Sequence, residues 1–487
     1  MNDPSATEFD EAYYRKLMDG LEVIEINLSI CKDIIDFRID ASTYKKDYVN
    51  TEEILQALNT YSIEDKMRSI QNFGAYSLCN DIVFTDDGIP FLMTQNIRHN
   101  YIDWNDIRYV NQESHNMLHK SHCKKGQLLV TMAGEYLGRV AVYDQDFICS
   151  SNQAIAKVTL KDGVSPYYVA TFLNSRYGQN QINRLRTVTG QPNINMALIK
   201  SLKIPFFSDE FSEVIESIVM YSNEMFRRAN NSYQEAEKLL IDTLGFKDFN
   251  LQTEQYSIKS LKNSFGNTGR LDAEFYQTEY DDFVKKLKEY NKGCGLIGDI
   301  CTIKDENYNP DEREEYFYIE LANVGSHGDI SDCDRILGKD LPSRARRKVH
   351  TGDVIISSVE GSLSKCALIT SEWDSYICTN GFYVLNSDLI NSETLMILFK
   401  SRFVQVLMKR GCSGTILSAI GKDELCKIPL PIIENAVQDK IKKLITDSNV
   451  VRKQGKELLN EAIQLVEFAI ESGEGAVLKH KLERGSL

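Results

Sequence analysis

The stretch from Ser208 to Leu244 contains neither glycine nor proline, and its apolar residues recur three, four or seven apart: Phe211, Ile215, Ile218, Met225, Ala229, Tyr233, Ala236, Leu240 and Leu244. That spacing predicts one long amphipathic helix over 208–245, with Pro205 before it, Gly245 closing it, and Ser208 or Asp209 supplying the cap. At ~1.5 Å per residue it would be ~55 Å long, more than one globular domain needs, so it reads as a spacer. A second stretch of the same kind, over 433–471, carries Ile441, Leu444, Ser448, Val451, Gly455, Leu458, Ala462, Leu465 and Ala469. Each is introduced by a matching triplet, Lys203-Ile204-Pro205 and Lys427-Ile428-Pro429. One central and one terminal long helix suggest a duplicated chain.

The duplication extends through the rest of the sequence. Arg38-Ile39-Asp40-Ala41-Ser42-Thr43-Tyr44 is echoed by Arg270-Leu271-Asp272-Ala273-Glu274-Phe275-Tyr276, each some ten residues after an alternating segment (Gly20 to Leu28; Tyr256 to Leu261). Further matches follow in order at a slowly shrinking offset. Phe91-Leu92 answers Tyr318-Ile319, Gly126 to Thr131 answers Gly352 to Ser357, and Gly138 to Ala141 answers Ser364 to Ala367. Ile148-Cys149 then pairs with Ile377-Cys378, Asn174-Ser175-Arg176 with Lys400-Ser401-Arg402, Gly190 with Gly414, and the Lys-Ile-Pro triplets with each other. So many ordered matches define a tandem copy. Short β-branched runs (Gln127 to Thr131, Arg139 to Val142, Ile155 to Leu160; Val354 to Ser357, Lys365 to Ile369, Phe382 to Leu385) predict strands, and Tyr167 to Asn174 and Ser392 to Ser401 predict helices. Too few strand–helix–strand alternations are present for a doubly wound sheet, so the expected class is α+β. The expected order is a lead-in at 1–20, a mixed domain at 21–207, the helix 208–245, a second domain at 246–432, the helix 433–471 and a tail at 472–487.

Chemistry should leave a constellation, and the sequence offers none. There is no glycine-rich phosphate loop, no zinc-hydrolase HExxH and no GxSxG nucleophile elbow. Asn307-Tyr308-Asn309-Pro310 falls short of the amino-methyltransferase tetrapeptide. The 11 cysteines are scattered without a CxxC pair, and His115, His119 and His122 beside Cys123 have no counterpart in the second copy, so no metal and no cofactor are expected. No apolar run is long enough for a membrane span and the first residues lack a signal-peptide pattern, so the expected location is cytoplasmic.

The basic residues carry more information. In a chain of net charge −14, six positive side chains (Arg335, Lys339, Arg344, Arg346, Arg347 and Lys348) cluster against the single acid Asp340. The corresponding run of the first copy is also basic (His119, Lys120, His122, Lys124, Lys125), and both lead into the repeated glycine and strand. Such groups can neutralise phosphates and fix register on DNA. A second repeated surface joins Arg184, Arg186, Thr189, Gln191 and Asn193 with Lys409, Arg410 and Thr415; its guanidinium, amide and hydroxyl groups suit contacts to phosphates and base edges. The remaining expected DNA contacts are Thr131, Arg139 and Arg176 in the first copy, and Ser358, Lys365 and Arg402 in the second.

The whole arrangement resembles the DNA-specificity subunits of Type I restriction-modification systems. The resemblance rests on the two Gly-led strands and their following turns, the Ser-Arg pairs, the loop Gly190 to Asn195 before Lys-Ile-Pro, the long helix after each copy, and the peptides around Arg38 and Arg270. It implies a non-catalytic protein in which two target-recognition domains each read half of a split double-stranded DNA site. It also implies two long helices packed antiparallel that dock two methyltransferase subunits, with restriction and translocase subunits as further partners. A related bipartite fused methylase-nuclease system, or a duplicated scaffold that never touches DNA, are the other classes left open. The second copy departs from the pattern at 362–367 and 413–418, so the halves should differ in what they read.

Overall fold

The computed structural model describes residues 10–22, 24–33, 37–74, 76–187, 190–247, 249, 258–331, 333–414 and 418–484. The chain divides into two compact units, 1–224 with 454–487, and 225–453. The units do not coincide with domain-plus-helix copies, because each takes one half of each long helix.

The long helices form where the periodicity places them, over Asp209–Leu244 and Asn435–Ser472. Within each unit their halves run antiparallel. In the first unit Ser208 donates to Glu474, and fourteen residues further on Ser222 Oγ donates to the Gly455 carbonyl at 2.7 Å. In the second, Ser448 Oγ donates to the Ala229 carbonyl at 2.7 Å and Arg452 to Asn230 Oδ1. A serine hydroxyl reaches an opposing backbone carbonyl only where two helices approach closely, so the facing residue must be small; Gly455 and Ala229 are. The expected apolar stripe is buried at Phe211, Ile215, Ile218, Ala229, Tyr233, Ala236, Leu240 and Leu244, but Phe226 is buried in place of Met225. On the C-terminal helix the buried line shifts by one residue, taking Arg452, Leu459 and Val466 rather than Val451, Leu458 and Leu465. The 472–487 tail is helical over Glu474–Arg484, and Glu11–Met18 forms a helix within the lead-in.

Each unit repeats two four-stranded sheets. In the first unit the strands Met67–Gln71, Ile155–Leu160, Leu128–Thr131 and Val140–Val142 lie side by side, all antiparallel. The second unit has Thr302–Lys304, Phe382–Asn386, Val354–Ser357 and Cys366–Leu368 in the same order. The second sheet of each contains one parallel pair, Phe91 with Ser150 and Tyr318 with Ile377. The helices Pro166–Asn174 and Ser392–Lys400 pack on these sheets through nearly continuous apolar faces.

Pairing corrects three sequence matches. Ile63 N donates to the Leu202 carbonyl and Ile297 N to the Ile428 carbonyl, so Lys203-Ile204-Pro205 is equivalent to Pro429-Leu430-Pro431, two residues past the expected triplet. Likewise Ser150-Ser151, not Ile148-Cys149, is equivalent to Ile377-Cys378. The bridges Ala133–Asn193 and Val359–Ala419 make Asn193 equivalent to Ala419, which places the expected Gly190–Gly414 match two residues out of register. Side-chain similarity set those matches, whereas ladder hydrogen bonds set the true register. The strand expected over Gly20 to Leu28 does not form: described residues 24–27 lie outside any sheet and Leu28–Asp33 is helical. Its alternation comes from Ile24 and Ile26 packing against Cys31, Tyr44 and Val49. Of the echoing segment Tyr256 to Leu261, residues 258–261 are described and form no strand.

Candidate nucleic-acid interface

The repeated peptide around Arg38 has a structural task that its sequence does not announce. Arg38 makes a two-pronged ion pair with Asp40 (2.8 and 2.9 Å) and donates through Nη1 to the carbonyls of Arg184 (3.2 Å) and Arg186 (2.7 Å). The Tyr44 hydroxyl closes the loop on the Arg38 carbonyl at 2.6 Å. In the second unit Arg270 pairs with Asp272 and donates to the carbonyls of Arg410 (3.5 Å) and Cys412 (3.2 Å), and Tyr276 closes on Arg270. The guanidinium thus satisfies carbonyls left open at the C-terminal end of the helices Arg176–Leu185 and Arg402–Arg410, where a cation also complements the helix dipole. The Arg38 guanidinium holds the Asp40 carboxyl well below the usual carboxylate range.

That clamp positions the loop that follows. In the first unit, the Thr187 amide donates to the Asn193 carbonyl (2.9 Å), and Ile194 N donates to the Met132 carbonyl (2.8 Å). Gly134 N donates to the Pro192 carbonyl (3.1 Å), so the loop is stitched onto the turn after strand Leu128–Thr131. Gly134 has φ +84°, and a Cβ there would stand 3.0 Å from the Gln191 amide, so glycine serves both the turn and the close approach. Gln191 and Asn193 are exposed at this tip. In the second unit the equivalent bonds run from Glu360 N to the Ser418 carbonyl (3.0 Å) and from Ile420 N to the Ser358 carbonyl (2.8 Å). Both tips are framed by backbone bonds, which leaves their side chains free to differ.

Several expected contact residues belong to this frame. Thr131 is fully buried, donates to the Tyr136 and Arg139 carbonyls and accepts from Arg139 N at 2.9 Å. Arg184 is buried, paired with Glu52 and set over the Tyr44 ring. Arg139 stacks on Tyr136 at 4.6 Å, Arg410 lies over Phe275 and Tyr280, and Arg176 pairs with Glu467 and Glu471. Ser358 Oγ donates to the Gly381 carbonyl and Lys365 Nζ to the Val324 carbonyl. Thr189 and Thr415 lie outside the described residues.

The basic runs take different places in the two units. Lys120, Lys124 and Lys125 are exposed, Lys125 pairing with Asp146 at 2.6 Å. Lys124 and Lys125 precede strand Leu128–Thr131, whereas the Gln191–Asn193 tip packs after it, so the strand separates the two groups. In the second unit Arg346, Arg347 and Lys348 lie on strand Ala345–Lys348 with Arg344 just before it, and the Arg344 carbonyl accepts from Asn380 N, next to the Gly381 carbonyl that receives Ser358 N. Loop 305–309, whose sequence offered only an imperfect methyltransferase tetrapeptide, holds this strand. Arg346 donates to Asn309 Oδ1 (3.0 Å), Arg347 to the Asp305 carbonyl and Asn307 Oδ1, and Lys348 lies 4.9 Å from the Tyr308 ring. Arg344 pairs with Glu320 at 2.8 Å. Arg402 is exposed at the start of its helix.

The histidines are used structurally. His115 and His122 stack at 4.0 Å, His115 Nδ1 bonds Ser150 Oγ and His122 Nε2 bonds the His115 carbonyl. Among the described residues no group of three or more His, Cys, Asp or Glu side chains is arranged to hold a metal, and no helix is long and apolar enough to cross a membrane.

One frame is thus built twice, with different residues at its tip, and within each unit it accompanies an antiparallel pair of long-helix halves. No family model matches the chain. It is similar to the MjaIX Type I restriction enzyme specificity subunit of Methanocaldococcus jannaschii, 21% identical over 342 residues that cover 67% of this chain and 73% of that protein. It is also similar to the HindI Type I restriction enzyme specificity subunit of Haemophilus influenzae, 24% identical over 164 residues, 33% of this chain and 34% of that one. Among solved structures it is similar to the S subunit of a Type I restriction-modification system from M. genitalium, at a TM-score of 0.38 and 14% identity over 85% of this chain and 95% of that one. The curated relatives it resembles are thus specificity subunits of Type I restriction enzymes.

Proposed function

We propose that the chain is the non-catalytic DNA-reading subunit of a restriction-modification complex in the cytoplasm. Each unit reads one half of a bipartite double-stranded site, and the long helices dock two methyltransferase subunits, to which restriction and translocase subunits attach. The observation that carries this reading is the repetition of a backbone-stitched tip whose residues differ between units: Gly134, Pro192 and Asn193 in one, Glu360, Ser418 and Ala419 in the other. Identical frames with different tips suit two different half-sites. Within each unit the exposed or half-buried basic groups, Lys120, Lys124, Lys125 and Arg186 in the first, Arg344, Arg346, Arg347 and Lys348 in the second, neutralise phosphates, and Gln191 and Asn193 meet base edges. The net charge of −14 leaves the bulk of phosphate attraction to the partner subunits.

The test is to co-purify the chain with its candidate methyltransferase and map methylated adenines in exposed DNA by long-read sequencing. The expected result is a split motif of two short half-sites with a fixed spacer. Replacing Arg344, Arg346 and Arg347 by Gln should weaken binding and flatten its salt dependence by about 0.9 in log–log slope for each phosphate that is no longer neutralised. Absence of a complex and of methylation, with no DNA binding at low salt, would overturn the reading and leave the scaffold.

A further inference from the structure

The two units differ at one place where their backbones are equivalent. In the first unit, the helix Arg176–Leu185 starts against the C-terminal long helix, and two carboxylates meet its first turn. Glu467 Oε1 accepts from the Arg176 backbone N at 2.7 Å, and Glu471 takes both the Arg176 guanidinium and the Tyr177 hydroxyl (3.0 Å). The contacts Ser222–Gly455 and Ser448–Ala229 relate the units by a constant offset of 226 residues, the same offset that relates Arg176 to Arg402. Carried along the helices, it brings Ile241 and Gly245 to the places of Glu467 and Glu471, and Phe403 to that of Tyr177. The arginine is kept and both acids are gone.

What stands there instead is an open cavity of about 280 Å³, walled by Leu240, Ile241, Phe246, Phe283 and Phe403, with Arg402 on its polar side. Phe246 and Phe403 stack at 4.6 Å between centroids and 6° between planes. Among the described residues no acceptor faces the Arg402 guanidinium, and the Ser401 side chain does not cap its helix. Glu237 borders the cavity as well, and burial raises its pKa. Arginine beside free helix N–H groups is a carboxylate receptor, and aromatic walls select an apolar body.

We propose that this cavity binds a small carboxylic acid with an aryl or alkyl body. The Arg402 guanidinium and the first backbone N–H of the helix Arg402–Arg410 take its carboxylate, as the same positions take Glu467 and Glu471 in the first unit. The body lies against the phenylalanine rings. The first unit fills its own site from the long helix, so one site per chain is open.

The experiment titrates the full chain calorimetrically with phenylacetate and, separately, with phenylacetamide, which keeps the ring and lacks the charge. Phenylacetate is expected to bind saturably at one site, at least tenfold tighter than the amide. Arg402→Gln should weaken it about tenfold or more, the effect of losing a charge-assisted bond, while Arg402→Lys, which keeps the exposed positive charge, should give an intermediate loss in an equally folded chain. Ile241→Glu restores the acid of the first unit and should abolish binding by filling the site from within. No saturable binding, equal binding of acid and amide, or undiminished binding by the Ile241→Glu chain would each overturn the proposal. DNA reading does not enter these readouts.

Discussion

Replacing Arg38 by methionine removes the clamp of the first unit while keeping an unbranched side chain of similar reach. Four hydrogen bonds go with it, two to Asp40 and two to the carbonyls of Arg184 and Arg186. The arginine side chain is only 14% exposed, so water does not restore what the carbonyls lose. Bonds to a charged group contribute about 1.5–3 kcal/mol each but are not additive within one cluster, so the expected cost is about 3 kcal/mol. Arg270→Met is the internal control: that side chain is 26% exposed and its carbonyl bonds are longer, at 3.5 and 3.2 Å, so about half the cost is expected. Hydrogen–deuterium exchange is the direct assay, because the clamp holds the segment that forms the tip. Amides of the described residues in 186–194 should lose protection in Arg38→Met, and those in 411–420 in Arg270→Met, each without loss in the other unit. The pH dependence has a definite sign. Asp40 has a depressed folded-state pKa, so its contribution is present above the ordinary carboxylate value near 4 and is lost as pH falls through the folded value. The stability gap between the parent and Arg38→Met should therefore narrow on acidification below about pH 4. Unchanged exchange at 186–194, or a larger loss from Arg270→Met than from Arg38→Met, would refute the account of the clamp.

Two further outcomes follow from the packing. Ser222→Val and Ser448→Val each remove a hydroxyl bonded to an opposing carbonyl and add a methyl at a close helix crossing, so each should cost about 2 kcal/mol or more, read as a lowered midpoint of thermal unfolding, whereas Ser→Ala should cost about 1. Lys157 is fully buried, bonded to Ser151 Oγ at 2.9 Å, and burial lowers its pKa to about 8. Its unfolded form binds more protons between pH 8 and the ordinary lysine value of about 10.4, so stability from this group rises with pH across that window, and denaturant midpoints of Lys157→Met should lack the rise.

Periodicity and repetition, both local in sequence, determined a good deal by themselves. The stripe from Phe211 to Leu244 requires a helix whatever it packs against, since only a 3.6-residue turn brings those side chains to one face, and the echo from Arg38 to Arg402 requires two copies of one unit. The Arg38 and Arg270 peptides were therefore visible as important before their task was. Tertiary structure decided everything that depends on a partner surface. Leu458 and Leu459, or Leu465 and Val466, are equally apolar neighbours, and only the approach of the opposing helix selected Leu459 and Val466 and drew in Arg452 beside Asn230. The Lys-Ile-Pro triplets look equivalent and are two residues out of register, because backbone pairing with Thr60–Ser62 and Cys294–Leu296 overrides side-chain likeness. Candidate contacts sorted in the same way. Thr131 turned inward because a turn needed its hydrogen bonds, and Arg184 because Glu52 and the Tyr44 ring receive it, while Gln191, Asn193 and Arg344 remained outside. A residue's chemistry is written in the chain, but whether that chemistry faces the protein or the solvent is fixed by the neighbours that folding brings to it.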